Sequence, residues 1–330
     1  MQNGHYMTGD GNHHRMVEVD MMGNTIHNWD MLERGYTMHH AISQDKQGNI
    51  LATVSKTSAK IANGKDVRIN DFIIRMDPEK GEILQEWDLV HMLDSARYGM
   101  TDYNLTADPY AQNASNWAHN NGIVEWGNDY LATARYQGIF KFNKAGGIEW
   151  IISPHGYWRD RYLKLLLNPL HADGIPITDP DVIAGTKNCD DFEWPWGCHT
   201  AVPLPNGHIF YFNNGYGRNF KLDFTDRKNV YTCGIEYEVD EVNRTVRQVW
   251  QYGKERGTAY FTPARSGVQY LEQTGNRLIC PGMSNVLSNG NRGARVTEVD
   301  PETQDVVFEL ELEDAIYQRV YRMSLYPENQ

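Results

Sequence analysis

The sequence is poor in cysteine, lacks long apolar runs and carries no excess of positive charge. No apolar stretch of the 330 residues approaches the roughly 18 that a membrane-spanning helix needs, so we expect no such helix. The four cysteines fit neither a disulfide scaffold nor a paired C-x-x-C zinc motif. A net charge of −12 disfavours nucleic acid as a partner, because binding to phosphates requires a positive surface.

The N-terminus also lacks the basic and apolar segments of a secretory signal peptide, so none is predicted. Composition leaves the compartment open, with the cytoplasm among the alternatives. The chain does have enough hydrophobic residues, 40%, for a large core, and its 12% of aromatic residues favours β-strands. We therefore expect a single folded domain over residues 1–330.

A repeated hairpin unit, made of a strand, an acidic or Asn turn and a second strand, recurs along the chain. Clear copies that end in Trp are residues 20–29, 77–87 and 240–250, and weaker copies start at Asn143 and Asp300. A second unit, with a turn glycine at its centre, precedes these hairpins. Two units together give four strands, which make one blade of a β-propeller. The competing architecture is a solenoid of strands, whose repeats are shorter than these.

The repeats give a count of five blades in an all-β protein. The chain begins at a second-strand copy over residues 3–8 and ends with a single strand over residues 319–326. We expect these two segments to pair within one blade and close the ring. Two insertions, at about 90–116 and 153–197, lie between blades on the face where the first strands begin.

Three histidines occupy the same register of the second unit. His40, His119 and His199 each precede their turn glycine by eight residues, since 48 − 40, 127 − 119 and 207 − 199 all equal 8. Equivalent positions on the inner strands of a propeller face one axis, so the three imidazoles are predicted to converge at the mouth of the central channel. Such a group can hold a metal ion, or serve as nucleophile, acid and base without one.

Arg135 and Asn121 favour the metal-free alternative. Arg135 is predicted on the strand after that of His119, and a cation beside three imidazoles disfavours a divalent metal and suits an oxyanion. Asn121 follows His119 by two residues, so on a regular strand both side chains point the same way. We therefore expect the Asn121 amide to donate to the same anion.

Several segments resemble the bacterial arylsulfate sulfotransferases, in the same order along residues 36 to 326. The similar segments are Asn116-Trp-Ala-His-Asn-Asn121, Thr133-Ala-Arg-Tyr-Gln-Gly-Ile-Phe-Lys141, Trp150-Ile-Ile-Ser-Pro154, Asp191-Phe-Glu-Trp-Pro-Trp-Gly-Cys-His-Thr200, Ile235-Glu-Tyr-Glu-Val-Asp240 and Val249-Trp-Gln-Tyr-Gly-Lys-Glu-Arg-Gly257. A match over this length is far more specific than any single motif.

The resemblance implies a six-bladed propeller that moves a sulfuryl group from a phenolic sulfate ester to an acceptor phenol. It implies a periplasmic location, no cofactor, no metal and independence of the nucleotide donor PAPS. By motif position His199 corresponds to the nucleophile that carries the group as a sulfohistidine, in a ping-pong reaction. His40, His119, Asn121 and Arg135 correspond to its partners in sulfate binding and proton transfer.

The resemblance has three further implications. A threonine that contacts substrate corresponds to Thr262, with Ser266 as the alternative. Family members usually carry an N-terminal sandwich domain, and we expect this chain to lack it, since it starts too late to contain one. Some have a disulfide in the loop before the nucleophile, where this chain has Cys189 and, beside His199, Cys198.

Aromatic residues beside the predicted site are candidates for holding an aryl ring. Trp117 precedes His119, Tyr136 follows Arg135, and Trp196 precedes His199. The substrates expected are therefore an aryl sulfate donor and a phenol acceptor. Two rival functions stay open: a metal-dependent propeller hydrolase with the histidines as ligands, and a non-enzymatic propeller that binds partners.

Overall fold

The computed structural model describes residues 1, 3–10, 14–63, 66–97, 117–284, 293–313 and 316. Within these residues the chain forms five sheets in a ring, so the protein is a five-bladed β-propeller. Among the same residues, no helix is both long and apolar enough to cross a membrane. The all-β fold class and the count of five blades, both predicted from the repeats, are confirmed.

The five sheets follow one another along the chain. The first contains β1 (Tyr6–Asp10), β2 (Arg15–Val19) and β3 (Thr25–Asp30). The second contains β4 (Thr37–Gln44), β5 (Ile50–Asn63), β6 (Asp66–Met76) and β7 (Ile83–Asp88). The third contains β8 (Asn120–Trp126), β9 (Asp129–Ala134), β10 (Gly138–Phe142) and β11 (Ile148–Ile152).

The fourth sheet has five strands, of which the outermost is parallel to its neighbour. It contains β12 (Asn168–Leu170), β13 (His199–Pro203), β14 (Ile209–Asn213), β15 (Cys233–Asp240) and β16 (Thr245–Tyr252), with β12 beside β16. The fifth contains β17 (Gly267–Tyr270), β18 (Arg277–Cys280), β19 (Ala294–Val299) and β20 (Val306–Leu312). The helices are short: α1 (Leu89–Met92), α2 (Asp160–Leu163) and α3 (Pro180–Ala184).

The first strands of neighbouring blades lie side by side. Strand β4 packs beside β8, β8 beside β13, and β13 beside β17. Because side chains alternate along a strand and each sheet is covered by its neighbours, the strands are rich in buried apolar residues. This ring of first strands is the scaffold that holds the histidines.

In three of the repeated hairpins, the tryptophan near the end joins one blade to the next. Trp87 donates its indole N–H to the carbonyl of Lys144, in the last hairpin turn of the following blade, at 3.0 Å. Trp150 donates to Glu241 Oε1 at 2.8 Å, again in the next blade's last turn. Trp250 repeats the contact with the carbonyl of Pro301 at 3.0 Å. The repeat signal in the sequence therefore reflects a contact between blades.

The N-terminal segment takes the place of the second strand of its blade, as predicted, with an Asn-Gly-His turn leading into β1. Asn3 Nδ2 and His5 Nδ1 bind Glu18 Oε1 at 2.9 and 2.6 Å. The same turn in the fourth blade places His208 Nδ1 2.6 Å from Glu236 Oε1. The strand predicted over residues 319–326, and with it the closure of the ring by the chain ends, lies outside the described residues.

The insertion at 153–197 adds structure around the first-strand face. It contributes the short helices α2 and α3 and the extra strand β12. Asp94, in the described part of the 90–116 insertion, accepts hydrogen bonds from the backbone N–H of Arg159 at 2.9 Å and from its Nε at 2.7 Å. Residues 98–116 lie outside the described part. The two insertions are thus joined by a charged contact.

The resemblance implied six blades, whereas the part of the chain described here forms five. Each described sheet corresponds to one pair of repeated units in the sequence. The five-bladed ring therefore corrects the number of blades taken from the family resemblance.

Gly138, at the start of β10, provides a test of the blade packing. Its φ is +97°, and a Cβ there would lie 2.3 Å from the carbonyl oxygen of Ile152 on the neighbouring strand. We expect Gly138→Ala to reduce the free energy of unfolding by about 3 kcal/mol, from positive-φ strain and backbone displacement. Chemical denaturation measures this.

Gly275→Ala is the matched control, because its φ is +76° and no heavy atom lies within 4 Å of a Cβ there. It should cost about 1–2 kcal/mol, the backbone strain alone. Equal losses for the two variants would contradict the packing of β10 against β11.

Candidate active site

The three histidines in equivalent register lie close together. The Nε2 atoms of His40 and His119 are 2.8 Å apart, which is a hydrogen bond between two imidazoles. The ring centroid of His199 lies 6.0 Å from that of His40. His119 and His199 are buried and His40 is partly buried. The structure therefore brings together the imidazoles of three successive blades.

Each of the three first strands is irregular at its histidine. The register shifts lie between Met38 and Ile42 in β4, between Asn120 and Gly122 in β8, and between His199 and Ala201 in β13. Bulges interrupt the alternation of side chains and re-aim them, often beside active sites. The regular alternation used to place Asn121 beside His119 therefore does not hold at this point.

The backbone at these bulges is strained. His119 has φ +55° and Thr200, a β-branched residue, has φ +30°. Each such conformation costs about 1–3 kcal/mol and persists only where its surroundings impose it. Gly122 allows the close approach, since a Cβ there would lie 2.6 Å from Thr133 Oγ1 and 3.4 Å from Thr200 Cα. The strain is concentrated where the histidines meet.

Asn214 fixes the tautomer of His199. Its Nδ2 donates to the carbonyls of Thr262 and Arg265 at 2.9 and 3.1 Å, so its Oδ1 must face the other way. That Oδ1 lies 2.6 Å from His199 Nδ1, which therefore carries the proton. The lone pair of His199 is consequently on Nε2.

The segment that precedes His199 is held by the neighbouring Asn213 and by a buried ion pair. Asn213 Oδ1 accepts from the N–H of Trp196 at 2.9 Å, and its Nδ2 donates to the carbonyl of Trp194 at 2.9 Å. Glu193 pairs with Arg218, and both side chains are buried. The chain entering β13 is therefore fixed on both sides, and this limits the positions that His199 can take.

Arg135 brings a positive charge to the histidines. Its backbone N–H donates to the carbonyl of His119 at 2.9 Å, and its Nη2 donates to the carbonyl of Pro263 at 2.8 Å. Its guanidinium lies over the ring of Tyr216, 4.4 Å from the centroid. Arg135 is thus a buried cation, held by a carbonyl and an aromatic face.

Burial lowers the pKa of His119 well below its usual value of 6.5, and the charges of His40, His39, Arg135 and His199 lower it further. His119 is therefore neutral at neutral pH. When two neutral imidazoles are hydrogen-bonded to each other, one proton lies in the hydrogen bond between the two rings. The pair formed by His40 and His119 can accept a proton through the member that is less buried, His40.

The other predicted polar residues are buried within the hydrogen-bonding network. Asn121 Nδ2 donates to the carbonyl of Cys198, beside His199, at 2.9 Å. Thr262 Oγ1 donates to the carbonyl of Ala264 at 2.8 Å and accepts from the N–H of Met283 at 3.2 Å. Through its own carbonyl Thr262 orients Asn214. The alternative, Ser266, accepts from the N–H of Gly282 at 3.4 Å.

A pocket beside Arg135 contains two of the three predicted aromatic residues. Tyr136 and Trp196 line it, together with Arg97, Arg135, Gly138, Ser153, Pro154, Pro195, Gly197, Tyr216, Gly217 and Phe220. The third, Trp117, is fully buried in the hydrophobic cluster around Leu93 and Ile123 and does not line this pocket. The pocket wall ends at Gly197, two residues before His199.

A compact group of potential metal ligands occurs at this site, but it differs from the three histidines predicted from the sequence, His40, His119 and His199. It consists of His39, His40 and His119, whose ring nitrogens lie within 4.8 Å of one another. Two nitrogens on one tetrahedral zinc lie about 3.3 Å apart, given bonds of about 2.0–2.1 Å. The separation of 2.8 Å between His40 and His119 is that of a hydrogen bond. The pair is therefore hydrogen-bonded as it stands, and the burial of His119 leaves its ring less room to move apart around an ion than a partly exposed side chain has.

The cysteines near the site are not paired with each other. Cys189 and Cys198 are both free thiols. Cys198 is fully buried, and this burial raises its pKa to about 12. Cys189 donates to Asp191 Oδ1 at 3.1 Å. The structure therefore has no counterpart, in this loop, of the disulfide found in some family members.

Three residues at the site were missed from the sequence: His39, Asn214 and Tyr216. His39 donates from Nδ1 to the carbonyl of Asn120 at 2.9 Å and packs against both His40 and His119. Asn214 had a detectable signal, since it directly follows β14 as Arg135 directly follows β9. Tyr216 had none, because it lies in an irregular segment outside the repeat.

Comparison with known proteins identifies the family of this chain. The family model described as arylsulfotransferase (ASST) matches residues 1–322. Two curated proteins named arylsulfate sulfotransferase AssT, from Escherichia coli O6:H1 and Lelliottia amnigena, are each 29% identical to this chain, over 93% of it. The chain spans 56% of the length of those relatives.

A solved structure from Bacteroides caccae, of a protein of unknown function, resembles the fold. Its TM-score is 0.50 at 11% identity, with 94% of this chain and 78% of that one covered. Such a likeness concerns the fold alone. The family model extends over nearly the whole sequence, and the resemblance stated from the motifs is confirmed. This chain belongs to the arylsulfotransferase (ASST) family.

Proposed function

We propose that this protein transfers a sulfuryl group from an aryl sulfate ester to a phenol, through a covalent sulfohistidine on Nε2 of His199. The observation that carries the proposal is the hydrogen bond of 2.6 Å from His199 Nδ1 to Asn214, which directs the lone pair to Nε2. Membership of the family supports the reaction class. The neighbouring imidazoles and Arg135 support its charge and proton requirements.

In the first step the lone pair of His199 Nε2 forms a bond to sulfur. The bond from sulfur to the aryl oxygen breaks, and its electron pair leaves on the phenolate, which takes a proton from water. The ring of the sulfohistidine gains positive charge, which strengthens its N–H bond to Asn214 Oδ1. Arg135, as a fixed cation, stabilises the negative charge on the sulfuryl oxygens in the transition state.

In the second step an acceptor phenol enters and loses its proton. A phenol has a pKa of about 10, so a base is needed at neutral pH. The hydrogen-bonded pair of His40 and His119 is that base, and His40 accepts the proton because burial opposes charge on His119. The phenol oxygen then binds sulfur, and the electron pair of the N–S bond returns to Nε2.

The pocket beside Arg135 suits the aryl part of the substrate. Its wall includes the rings of Tyr136, Trp196, Tyr216 and Phe220, while Arg135 supplies a charge at one side. An apolar pocket with few polar anchors binds an aromatic ring and fixes its polar group. In the proposed reaction the phenolic oxygen lies between this pocket and the histidines.

The first test is His199→Asn, which removes the nucleophile and keeps a polar side chain. Turnover of an aryl sulfate should be abolished, since the two-step route requires a covalent carrier. Brief exposure of the wild-type protein to donor alone should add one sulfuryl group, on the peptide that contains His199. Intact-protein and peptide mass spectrometry at mild pH measure the adduct.

His208→Asn is the control for the first test, because His208 lies in the same blade and contacts Glu236 at the far turn. It should keep turnover and adduct formation. Parallel double-reciprocal plots at several acceptor concentrations are expected. Intersecting plots together with no adduct would mean direct transfer between the phenols and would overturn the proposal.

The second test concerns Asn214 as a positioning residue. Asn214→Ala should slow adduct formation about 100-fold, because a misoriented imidazole attacks poorly. Asn214→Asp keeps an oxygen beside Nδ1 but turns its second oxygen towards the carbonyls of Thr262 and Arg265, so it should recover only part of the rate. Rapid-quench measurement of adduct formation separates this step from donor binding. Adduct formation at the wild-type rate in Asn214→Ala, or an effect on KM alone, would show that Asn214 serves only the fold.

The third test uses pH and the neutral state of His119. Its pKa in the folded protein lies below the unfolded value of about 6.5, so the folded state binds fewer protons. The contribution of neutral His119 to the free energy of unfolding is fully present above about pH 6.5 and is lost as the pH falls below that value. One such group lowers the free energy of unfolding by about 1 kcal/mol between pH 7.5 and 5.5.

His119→Gln should remove that part of the pH dependence, as measured by urea unfolding at the two pH values. His91→Gln is the control, since the side chain of His91 is 82% exposed. It should leave the difference between the two pH values unchanged. An unchanged difference in His119→Gln would mean that His119 is not held neutral by burial.

A further inference from the structure

We infer that His171, Cys189 and Asp191 form a binding site for one Zn²⁺ ion. The three side chains come from the two ends of the 153–197 insertion, and their ligand atoms lie within 4.8 Å of one another. An imidazole, a thiol and a carboxylate are the three donor types that zinc takes in proteins. This site is separate from the histidines of the active site and does not depend on the proposed function.

The donor atoms already have nearly the spacing of a zinc site. His171 Nδ1 lies 2.9 Å from Asp191 Oδ1 and 4.0 Å from Cys189 Sγ, and Sγ lies 3.1 Å from Oδ1. Around a tetrahedral Zn²⁺ with bonds of about 2.0–2.3 Å, these separations are about 3.4–3.6 Å. Movements of about half an ångström by partly exposed side chains suffice to admit the ion.

The backbone holds the ligands in place. His171 lies in a turn after β12, where its N–H donates to the carbonyl of Ile175 at 2.8 Å. Asp191 accepts from the backbone N–H of Ala172 at 2.9 Å through Oδ2, which leaves Oδ1 directed at the other two ligands. The carboxylate therefore has a backbone partner that persists when the ion binds.

Binding exchanges protons for the metal in a balanced step. The thiol of Cys189, which now donates to Asp191, releases its proton to solvent and binds zinc as a thiolate. His171 now donates its Nδ1 proton to Asp191; that proton leaves to solvent and Nε2 carries the proton of the neutral ring, so that Nδ1 binds the ion. The side chains of His171 and Asp191 are 39% and 37% exposed, so the fourth position is open to water. Asp190, exposed beside the site, adds favourable charge.

The ion would close a loop within the insertion. His171 and Cys189 are 18 residues apart, since 189 − 171 = 18, and Asp191 precedes His199 by eight. Because the ion binds these ligands as the folded chain arranges them and not the unfolded chain, its binding free energy adds to the stability of the fold. Zinc should therefore stabilise the segment that leads into β13.

Metal titration of the protein, purified without a histidine tag and stripped of metal, tests the site. Co²⁺ serves as the spectroscopic probe and should bind once per chain, with a thiolate-to-metal charge-transfer band. Cys198, Cys233 and Cys280 are all buried, so the band reports Cys189. The group of His39, His40 and His119 has no thiol and gives no such band.

Variants assign the ligands. Cys189→Ser should abolish the band, and His171→Gln and Asp191→Asn should each weaken Zn²⁺ binding at least about tenfold, as measured by competition with a chromophoric chelator. His91→Gln, with an exposed histidine beside Asp88, should bind as the wild type does. Circular dichroism of the metal-free variants confirms that each remains folded.

Thermal unfolding gives a second measurement. Zn²⁺ should raise the melting temperature of the wild type and of His91→Gln, and should leave that of Cys189→Ser unchanged. A charge-transfer band that persists in Cys189→Ser, the absence of any band in the wild type, or an equal thermal shift in Cys189→Ser would each overturn the inference.

Discussion

The hydrogen bond between Nε2 of His40 and Nε2 of His119 joins two blades and defines the centre of the site. It exists because the first strands of a propeller lie side by side, so that residues about 80 positions apart become neighbours. Two imidazoles at this distance hold one proton between them. The burial that keeps His119 neutral therefore makes the pair a proton acceptor and leaves the positive charge to Arg135.

The division of roles among the histidines follows from their hydrogen-bond partners more than from their positions. His199 donates from Nδ1 to Asn214, whose orientation is set by two backbone carbonyls. His119 instead shares its Nε2 with another imidazole. The ring of His199 is thus oriented to form a bond through its Nε2 lone pair, whereas His40 and His119 together can take up a proton.

The sequence repeats predicted the fold class, the five blades and the convergence of the histidines, because these depend on a register that is visible in spacing. What spacing cannot reveal is a slip in strand pairing. The bulge at Asn120–Gly122 changes where Asn121 points, and the irregularity around His40 brings in His39. Trp117 looked like a pocket residue from its position beside His119, yet it packs in the core. Residues that are neighbours in sequence direct their side chains to different places where the alternation of side chains along the strand is interrupted.

The bulges also explain why the strained residues occur together. A regular ring of strands directs every first-strand side chain either into a sheet interface or at the channel. The extra residues beside each histidine interrupt the alternation and re-aim the side chains, and positive φ occurs at His119 and Thr200. The buried contacts of Asn213, Asn214 and the pair of Glu193 with Arg218 hold that conformation. The strained backbone at the site is therefore maintained by the network of buried contacts that surrounds it.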